Sequence, residues 1–271
     1  MATNPINQKR IFIWCTARSL STVITRSLSQ IPDSYALVAL FASAGSFGPE
    51  RKFQDCKYEY AGTDTYTSMK AIYEQPWPSQ SVVIGKDCSF YLEGKYDFIP
   101  EGYQHVFLFR HPLKSISSMA ASFATRIKTL PEKQVYRFKV NQYKSLHNLH
   151  QYLKTTHGIN APVLDADDLI AQPKEMLQTV CKILGLPFSD KLLTWDWTDE
   201  KPDNWMVRNS VWEDHKIYGW YDNCLHSTGF RKPTEAAKTD KNALEPEFVK
   251  MVEEALPYYE ELRKLRIKPG F

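Results

Sequence analysis

Residues 11–22 carry the sequence IFIWCTARSLST, an apolar run followed by a basic and hydroxylated turn. The pattern predicts a buried strand over 11–15, a loop over 18–22 and a helix over 20–30. The first turn of a helix leaves backbone N–H groups without partners, and its dipole favours negative charge. Arg18 adds a guanidinium whose fork geometry suits phosphate or sulfate oxygens. The stretch therefore predicts an anion site at a helix N-terminus, and the alternative is an ordinary helix capped by Ser19 or Ser21.

This turn differs from the phosphate loop of nucleotide triphosphatases. That loop requires Gly-x-x-x-x-Gly-Lys-Ser/Thr, and no glycine occurs between Met1 and Ala44. The difference argues against kinase or ATPase chemistry. It favours a phosphate cradle in which side chains also contact the anion.

Two later segments repeat the arrangement of a strand followed by a polar turn. Residues 105–109 predict a strand with Arg110 at its exit, and Pro112 suits the first turn of the next helix. Ser118 then lies about two turns along this helix, so Arg110 and Ser118 can hold one anionic group from two sides. Residues 162–166 predict a third strand, followed by an acidic turn and an amphipathic helix that Gly185 ends.

Together these segments resemble the sulfotransferase superfamily, whose members bind 3′-phosphoadenosine 5′-phosphosulfate (PAPS). The 5′-phosphosulfate loop of the family is matched here by Arg18, Ser19, Leu20, Ser21 and Thr22. Arg110 and Ser118 match the spacing of its 3′-phosphate site, and residues 167–185 match its third motif. Residues 48–51 and 225–230 resemble a subgroup of small soluble sulfotransferases often labelled aminotransferase-like. The resemblance implies that the far end of the cofactor contacts Ser227, Thr228, Gly229, Phe230 and Arg231.

The resemblance implies an α/β fold: a single P-loop-like domain over residues 1–271, with a central parallel β-sheet flanked by helices and residues 1–9 as a flexible tail. It also implies transfer of a sulfuryl group from PAPS to a hydroxyl or nitrogen of a small-molecule acceptor, leaving 3′-phosphoadenosine 5′-phosphate (PAP). A secondary metabolite such as a saxitoxin-type alkaloid is one acceptor to consider. Two alternatives stay open, a P-loop kinase acting on a small molecule and a degenerate module that binds nucleotide without turnover.

The expected catalytic residues are Arg18, Lys86 and Asp87. Arg18 is expected to neutralise charge on the leaving oxygen, and residues 86–87 follow a predicted strand, whose C-terminal end faces the ligand crevice in such sheets. The resemblance implies a histidine or a glutamate as general base, but Cys88 and Ala39 stand at those positions. Asp87 is the first candidate for the base. The alternatives are a purely structural Asp87, another side chain such as His111, or an acceptor that needs little deprotonation.

The composition sets the remaining expectations. The 271 residues suffice for one sizeable domain, and 43% apolar with 24% charged residues is typical of a globular protein. Five cysteines without a CxxC pair indicate reduced thiols and no metal site. The polar start of the chain and the lack of a long apolar run predict a cytoplasmic protein without a membrane partner. A net charge of +3 does not require nucleic acid, and the oligomeric state, a homodimer included, is left open.

Overall fold

The computed structural model describes residues 8–52, 61–126, 140–231 and 240–270. The strands within these ranges are β1 Lys9–Cys15, β2 Ser34–Val38, β3 Val82–Cys88, β4 Gln104–Phe109, β5 Val163–Asp165 and β6 Trp205–Met206. The α-helices are α1 Ser21–Leu28, α2 Leu40–Ser46, α3 Tyr66–Glu74, α4 Pro112–Arg126, α5 Gln142–His157, α6 Ala166–Ala171, α7 Pro173–Leu184, α8 Asn209–Tyr218, α9 Asp222–Leu225 and α10 Pro246–Leu265.

The six strands form one sheet in the order β5-β4-β1-β3-β2-β6, and every neighbouring pair is parallel. This confirms the predicted α/β fold with a central parallel sheet. Helices cover both faces of such a sheet, so its central strands are continuous apolar runs. Residues 11–15 of β1 fit that description, since none of them is more than 1% exposed.

Aromatic packing around β1 fixes the centre of the sheet. Phe12 stacks on Trp14 with ring centroids 4.0 Å apart. Gly85 on the neighbouring strand β3 lies against the Phe12 ring, and a Cβ atom at this position would come within 2.4 Å of Phe12 Cδ2. The glycine in β3 therefore permits the close approach of β3 to β1. The C-terminal ends of these two strands carry the residues of the predicted site.

Most predicted elements are confirmed, and two parts of the chain differ. The apolar run 36–41 predicts a strand from the sequence, but the strand ends at Val38, and Leu40 begins α2, whose residues are all buried. A fully buried apolar run carries no periodicity that separates a strand from a helix. The segment 194–220, which contains Trp195, Trp197, Trp205 and Trp212, has little periodicity and is expected from the sequence to be irregular. It contributes the edge strand β6 and the helix α8.

The two ends of the chain can also be compared with the sequence predictions. Residues 1–7 of the expected tail lie outside the described residues, whereas Gln8 donates a side-chain hydrogen bond to the Gln80 carbonyl at 2.9 Å and Lys9 begins β1. The sequence predicts a final helix over about 245–266, and the structure confirms it as α10, with Pro257 inside it. Among the described helices, none is long and apolar enough to cross a bilayer.

Candidate functional site

A cavity opens at the C-terminal edge of the sheet, where β1, β3 and β4 end side by side. Cys15 pairs with Cys88 on one side and with Leu108 on the other, so the loops that follow the three strands meet there. The cavity is lined by Ala17, Arg18, Leu20, Ser21, Thr22, Val23, Ala39, Ala42, Lys86, Asp87, Cys88, Phe90, Tyr91, Arg110, Ser118, His215, Trp220, Tyr221, Asn223 and Cys224. Ligands of open α/β sheets bind at this edge.

Arg18 connects the first two sequence segments across the cavity. Its Nε donates to Ser118 Oγ at 3.1 Å, and its Nη1 donates to the Trp220 carbonyl at 3.4 Å. Burial lowers the pKa of Arg18 to about 10, nearby Asp222 opposes this shift, and Arg110 adds to it. The guanidinium is therefore a cation held away from water beside a second cation, a position that an incoming anion stabilises.

The loop before α1 has an unusual backbone for residues with side chains. Arg18 and Leu20 have φ values of 60° and 63°, in the left-handed region, which costs about 1–3 kcal/mol for a non-glycine residue. Ser19 is buried and donates to the Thr16 carbonyl at 2.7 Å, so its hydroxyl closes the turn and does not line the cavity. The N-cap of α1 is Leu20, which gives no side-chain cap, rather than Ser19 or Ser21. The first turn of α1 therefore faces the cavity with its N–H groups uncapped by a side chain.

Arg110 and Ser118 lie where the sequence predicts them. Arg110 follows β4, its backbone carbonyl accepts a hydrogen bond from Tyr143 Oη at 2.6 Å, and its Nε donates to Asp167 Oδ1 at 3.2 Å. Lys114 lies 3.0 Å from the other oxygen of the same carboxylate. Asp167 thus shares its charge between two cations at the border of the cavity. The charge of Arg110 is only partly neutralised, because one carboxylate serves both cations.

Lys86 and Asp87 are buried at the end of β3, with 5% and 0% of their surfaces exposed. Asp87 Oδ2 accepts from the Phe41 N–H at 2.7 Å and from Tyr73 Oη at 3.2 Å, while Oδ1 accepts from the Cys88 N–H at 2.9 Å. Burial raises the pKa of Asp87 to about 7, against the opposing effects of Lys86 and these donors. The carboxylate therefore holds the first turn of α2 in place. From the sequence, a purely structural Asp87 is an alternative to a general base, and these hydrogen bonds are structural contacts of that kind.

Residues 227–231 have other contacts than those expected and are not among the residues that line the cavity. Ser227 donates to the Cys224 carbonyl at 3.0 Å, and Phe230 packs edge-on against Trp195 at 5.4 Å. A Cβ atom on Gly229 would lie 2.7 Å from the Leu193 carbonyl oxygen, so close packing within the chain requires this glycine. Thr228 is exposed, and Arg231 donates to the His226 carbonyl. Their contact with a cofactor stays a prediction. Lys232 lies outside the described residues.

The opposite wall of the cavity was not identified from the sequence. Phe90 and Tyr91 come from the turn after β3, and residues 215–224 come from the end of α8 and from α9. Gly219 ends α8 with a φ of 64°, which turns the chain back across the cavity. In the sequence, Gly219 is the residue that could have indicated this turn. Of the tryptophans singled out in the sequence, Trp195 and Trp205 pack inside the protein, whereas the cavity is lined by Trp220.

His215 is the histidine among the described residues that line the cavity. Its ring centroid lies 4.9 Å from that of Trp220 and 4.8 Å from that of Tyr221. No sequence motif marks His215, because it lies inside α8 and far along the chain from the strand ends. The fold nevertheless places an imidazole in the same cavity as Arg18 and Lys86.

The chain resembles a curated plant protein along most of its length. A branched-chain-amino-acid aminotransferase-like protein 2 of Arabidopsis thaliana is 25% identical over 265 residues, covering 93% of this chain and 41% of that protein. The chain therefore spans about two fifths of the length of this curated relative.

Two solved structures resemble the chain at lower identity. The sulfotransferase domain of the Synechococcus PCC 7002 olefin synthase is 16% identical with a TM-score of 0.46, covering 92% of this chain and 94% of that one. The sulfotransferase domain from the curacin biosynthetic pathway is 14% identical with a TM-score of 0.49, covering 91% and 97%. Residues 9–266 match the family described as the sulfotransferase domain, and the chain therefore belongs to the sulfotransferase domain family.

Proposed function

We propose that this protein transfers the sulfuryl group of PAPS to a hydroxyl or nitrogen of a small-molecule acceptor. The observation that supports this most is the hydrogen bond of 3.1 Å from Arg18 Nε to Ser118 Oγ. It joins the two segments that resemble the 5′-phosphosulfate and 3′-phosphate sites on the wall of one cavity. Lys86 and Arg110 line the same cavity, so its cations match a donor that carries two separate anionic ends.

The residues present fit the donor by their chemistry. Ser21 and Thr22 supply hydroxyl groups beside the uncapped first turn of α1, where backbone N–H groups and the helix dipole favour an anion. Arg110 and Ser118 are available to bind the 3′-phosphate of the donor. When bound, PAPS supplies the activated sulfuryl group. The chain's own residues then hold its two ends and align the reacting atom with the acceptor.

The position of Arg18 supports the catalytic role proposed for it. In sulfuryl transfer, negative charge grows on the leaving oxygen, and a preorganised cation in a site shielded from water stabilises that charge strongly. Arg18 is partly buried, and its hydrogen bonds to Ser118 and Trp220 fix its orientation. Lys86, 5% exposed at the end of β3, adds a second positive charge.

Two side chains are candidates for the general base that removes the proton of the acceptor. Asp87 was expected from the sequence, but its two oxygens already accept three hydrogen bonds from within the protein. His215 lines the cavity and has a ring nitrogen chemistry suited to general base catalysis near neutral pH. We favour His215 for this role, with Asp87 positioning α2 and the end of β3.

The walls of the cavity favour a neutral, flat acceptor. Phe90, Tyr91 and Trp220 provide aromatic surface. Arg18, Lys86 and Arg110 line the cavity, and the carboxylate among its lining residues is the buried Asp87. Because the three cations are assigned to the donor and Asp87 already accepts hydrogen bonds within the protein, these lining residues offer a guanidinium alkaloid no available carboxylate, so an uncharged phenol or alcohol fits better than the saxitoxin-type acceptor considered from the sequence.

The test measures binding and transfer separately. PAP binding is followed by calorimetry, and transfer is followed with ³⁵S-labelled PAPS and a panel of phenols, alcohols and amines. Arg18→Ala is expected to slow transfer by about 10²–10³-fold, and the control Lys250→Ala, at an exposed ion pair on α10, is expected to retain it. PAP binding without transfer to any acceptor would support the degenerate module. Transfer of labelled phosphate from magnesium ATP, without PAP binding, would support the kinase.

A further inference from the structure

Two thiols lie side by side at the floor of the cavity. Cys15 ends β1 and Cys88 ends β3, and they are direct partners in the parallel register of these strands. Their Sγ atoms are 3.8 Å apart. Neighbouring strands lie about 4.7–4.9 Å apart, which falls within the Cα separation of about 4.4–6.8 Å that a disulfide bond requires. The pair can therefore be joined with the strand register kept, by a small movement of the strand ends.

The two sulfurs differ in their access to solvent. Cys88 is partly exposed and lines the cavity, whereas Cys15 is fully buried behind it. Burial raises the pKa of Cys15. The hydrogen bond with Cys88 and the charge of Lys86 act in the opposite direction and together outweigh burial, so the pKa of Cys15 is lowered overall. The hydrogen bond with Cys15 raises the pKa of Cys88, and burial adds to this. Access therefore selects Cys88 as the sulfur that a small oxidant reaches, although its raised pKa makes it the slower nucleophile, and Cys15 is the better nucleophile to resolve the oxidised Cys88.

We propose that Cys15 and Cys88 form a thiol oxidation site, in which a small peroxide entering the cavity converts the pair into a disulfide. In the first step Cys88 Sγ attacks a peroxide oxygen, the O–O bond breaks, and the thiol becomes a sulfenic acid with release of water. In the second step Cys15 Sγ attacks Cys88 Sγ, the S–O bond breaks, the S–S bond forms, and the thiol proton leaves with the hydroxyl as a second water. The two thiols lose two electrons in total, and hydrogen peroxide accepts them.

The disulfide acts on the residues that hold the donor, and this consequence rests on the proposed function. Bond formation shortens the Sγ–Sγ distance from 3.8 Å to about 2.05 Å, so the ends of β1 and β3 must shift. Thr16, next to Cys15, accepts the hydrogen bond of Ser19 that closes the loop carrying Arg18. Asp87, next to Cys88, holds the first turn of α2. Displacing the loop by a fraction of an ångström misaligns Arg18, because the geometry of reacting groups tolerates little error.

The neighbouring thiols provide controls within the same chain. Cys224 also lines the cavity, and its Sγ donates to the Thr22 carbonyl at 3.4 Å. Cys181 is buried on α7, and burial raises the pKa of its thiol to about 11. Cys181 is neither part of the cavity lining nor paired with another described thiol. It therefore serves as a matched cysteine that should stay unreactive.

The experiment treats the reduced full-length protein with hydrogen peroxide, alkylates the remaining thiols under denaturing conditions, and maps the peptides by mass spectrometry. The expected product is a peptide pair linked through Cys15 and Cys88 that dithiothreitol separates. PAP affinity is measured before and after oxidation, and it should fall at least about tenfold and recover with dithiothreitol. Cys181→Ser should behave like the wild type. Cys88→Ser and Cys15→Ala should show the same PAP affinity before and after peroxide.

The possible results separate this proposal from the proposed function. Conversion of Cys88 to a sulfinic or sulfonic acid without the linked peptide, or a link from Cys88 to Cys224, overturns the site. A linked peptide with unchanged PAP affinity overturns its regulatory effect. A linked peptide in a protein that never binds PAP supports the oxidation site and removes the proposed function instead. If Cys15→Ala does not fold, Cys88→Ser alone decides the comparison.

Discussion

Helices α1 and α2 begin in the same way and use their N-termini differently. Each follows a strand at the C-terminal edge of the sheet, and their N-caps Leu20 and Ala39 have left-handed φ values of 63° and 58° without a side-chain cap. At α2, the buried carboxylate of Asp87 accepts a hydrogen bond from the Phe41 N–H. At α1, the first turn opens into a cavity lined by Arg18, Lys86 and Arg110.

The difference between the N-termini of α1 and α2 indicates where an external anion can bind. Both N-termini carry the same partial positive charge and the same unsatisfied donors. The protein fills one of them with its own carboxylate and surrounds the other with cations. Local backbone geometry is therefore shared, and the neighbouring strand β3 decides which helix receives a ligand.

The largest expected effect comes from removing the carboxylate that holds α2. Asp87→Ala leaves the Phe41 N–H, the Cys88 N–H and the Tyr73 hydroxyl without their buried acceptor. We expect the free energy of unfolding to fall by about 3–5 kcal/mol, measured by chemical denaturation. Glu254→Ala, a half-exposed carboxylate on α10, should change it by less than about 0.5 kcal/mol. An unchanged stability of Asp87→Ala would contradict the comparison of the two helices.

The pH dependence of stability is a second test of the buried carboxylate of Asp87. Burial raises the pKa of Asp87 from 3.8 to about 7, so the folded protein keeps a proton that the unfolded chain releases. The stabilising effect is complete below pH 3.8 and is lost as the pH rises to about 7. The difference in unfolding free energy between the wild type and Asp87→Asn should therefore shrink over this range. Asp87→Asn has one acceptor oxygen instead of two, so it also loses part of the hydrogen bonding.

The next effect concerns the cations at α1. Arg18→Ala should lower kcat by about 10²–10³-fold and also weaken PAPS binding, because the charge it faces grows in the transition state. Arg110→Ala should mainly raise KM for PAPS, since Asp167 already shares its charge. Steady-state kinetics with varied PAPS separates the two. Arg263→Ala, half-exposed on α10, is the matched control.

Ser118→Ala tests whether Arg18 depends on its partner. Because Ser118 Oγ accepts the hydrogen bond of Arg18 Nε, its removal should lower kcat as well as affinity, though less than Arg18→Ala does. A change in KM alone would mean that Ser118 serves the phosphate and not the orientation of Arg18.

A smaller effect distinguishes the two candidate proton acceptors. His215→Gln should retain PAP binding, lower kcat by about 10²-fold, and remove the acidic limb of the pH–rate profile. Asp87→Asn should lower stability and keep that limb. If Asp87→Asn instead removes the limb while His215→Gln keeps it, Asp87 is the base, as the position at the end of β3 first suggested.

The smallest effect concerns the strained N-caps. Ala39→Gly relieves a left-handed backbone at a residue with little side chain to lose, and we expect a gain of up to about 1 kcal/mol in unfolding free energy. Leu20→Gly relieves the same strain but loses a side chain packed on the core, so the net change should be smaller. Thermal unfolding measures both. A loss of stability in Ala39→Gly would mean that its φ of 58° is not strained.

The sequence by itself predicted the parallel sheet, the loop before α1, the helix after Pro112 and the pair Arg110 and Ser118. These features depend on neighbours along the chain: an apolar run makes a buried strand, and a basic, hydroxylated turn follows it. The alternation of strands and helices then allowed few other architectures. For the same reason, family membership could be recognised from three short segments in order.

The tertiary structure alone decided the other half of the cavity. Asp87 lies 46 positions from Phe41, and His215 reaches the strand ends only because α8 packs there and Gly219 turns the chain back. The pairing of Cys15 with Cys88 likewise depends on the register of two strands that are distant in sequence. Such contacts follow from how separate elements pack around one core, and no local pattern of residues specifies them.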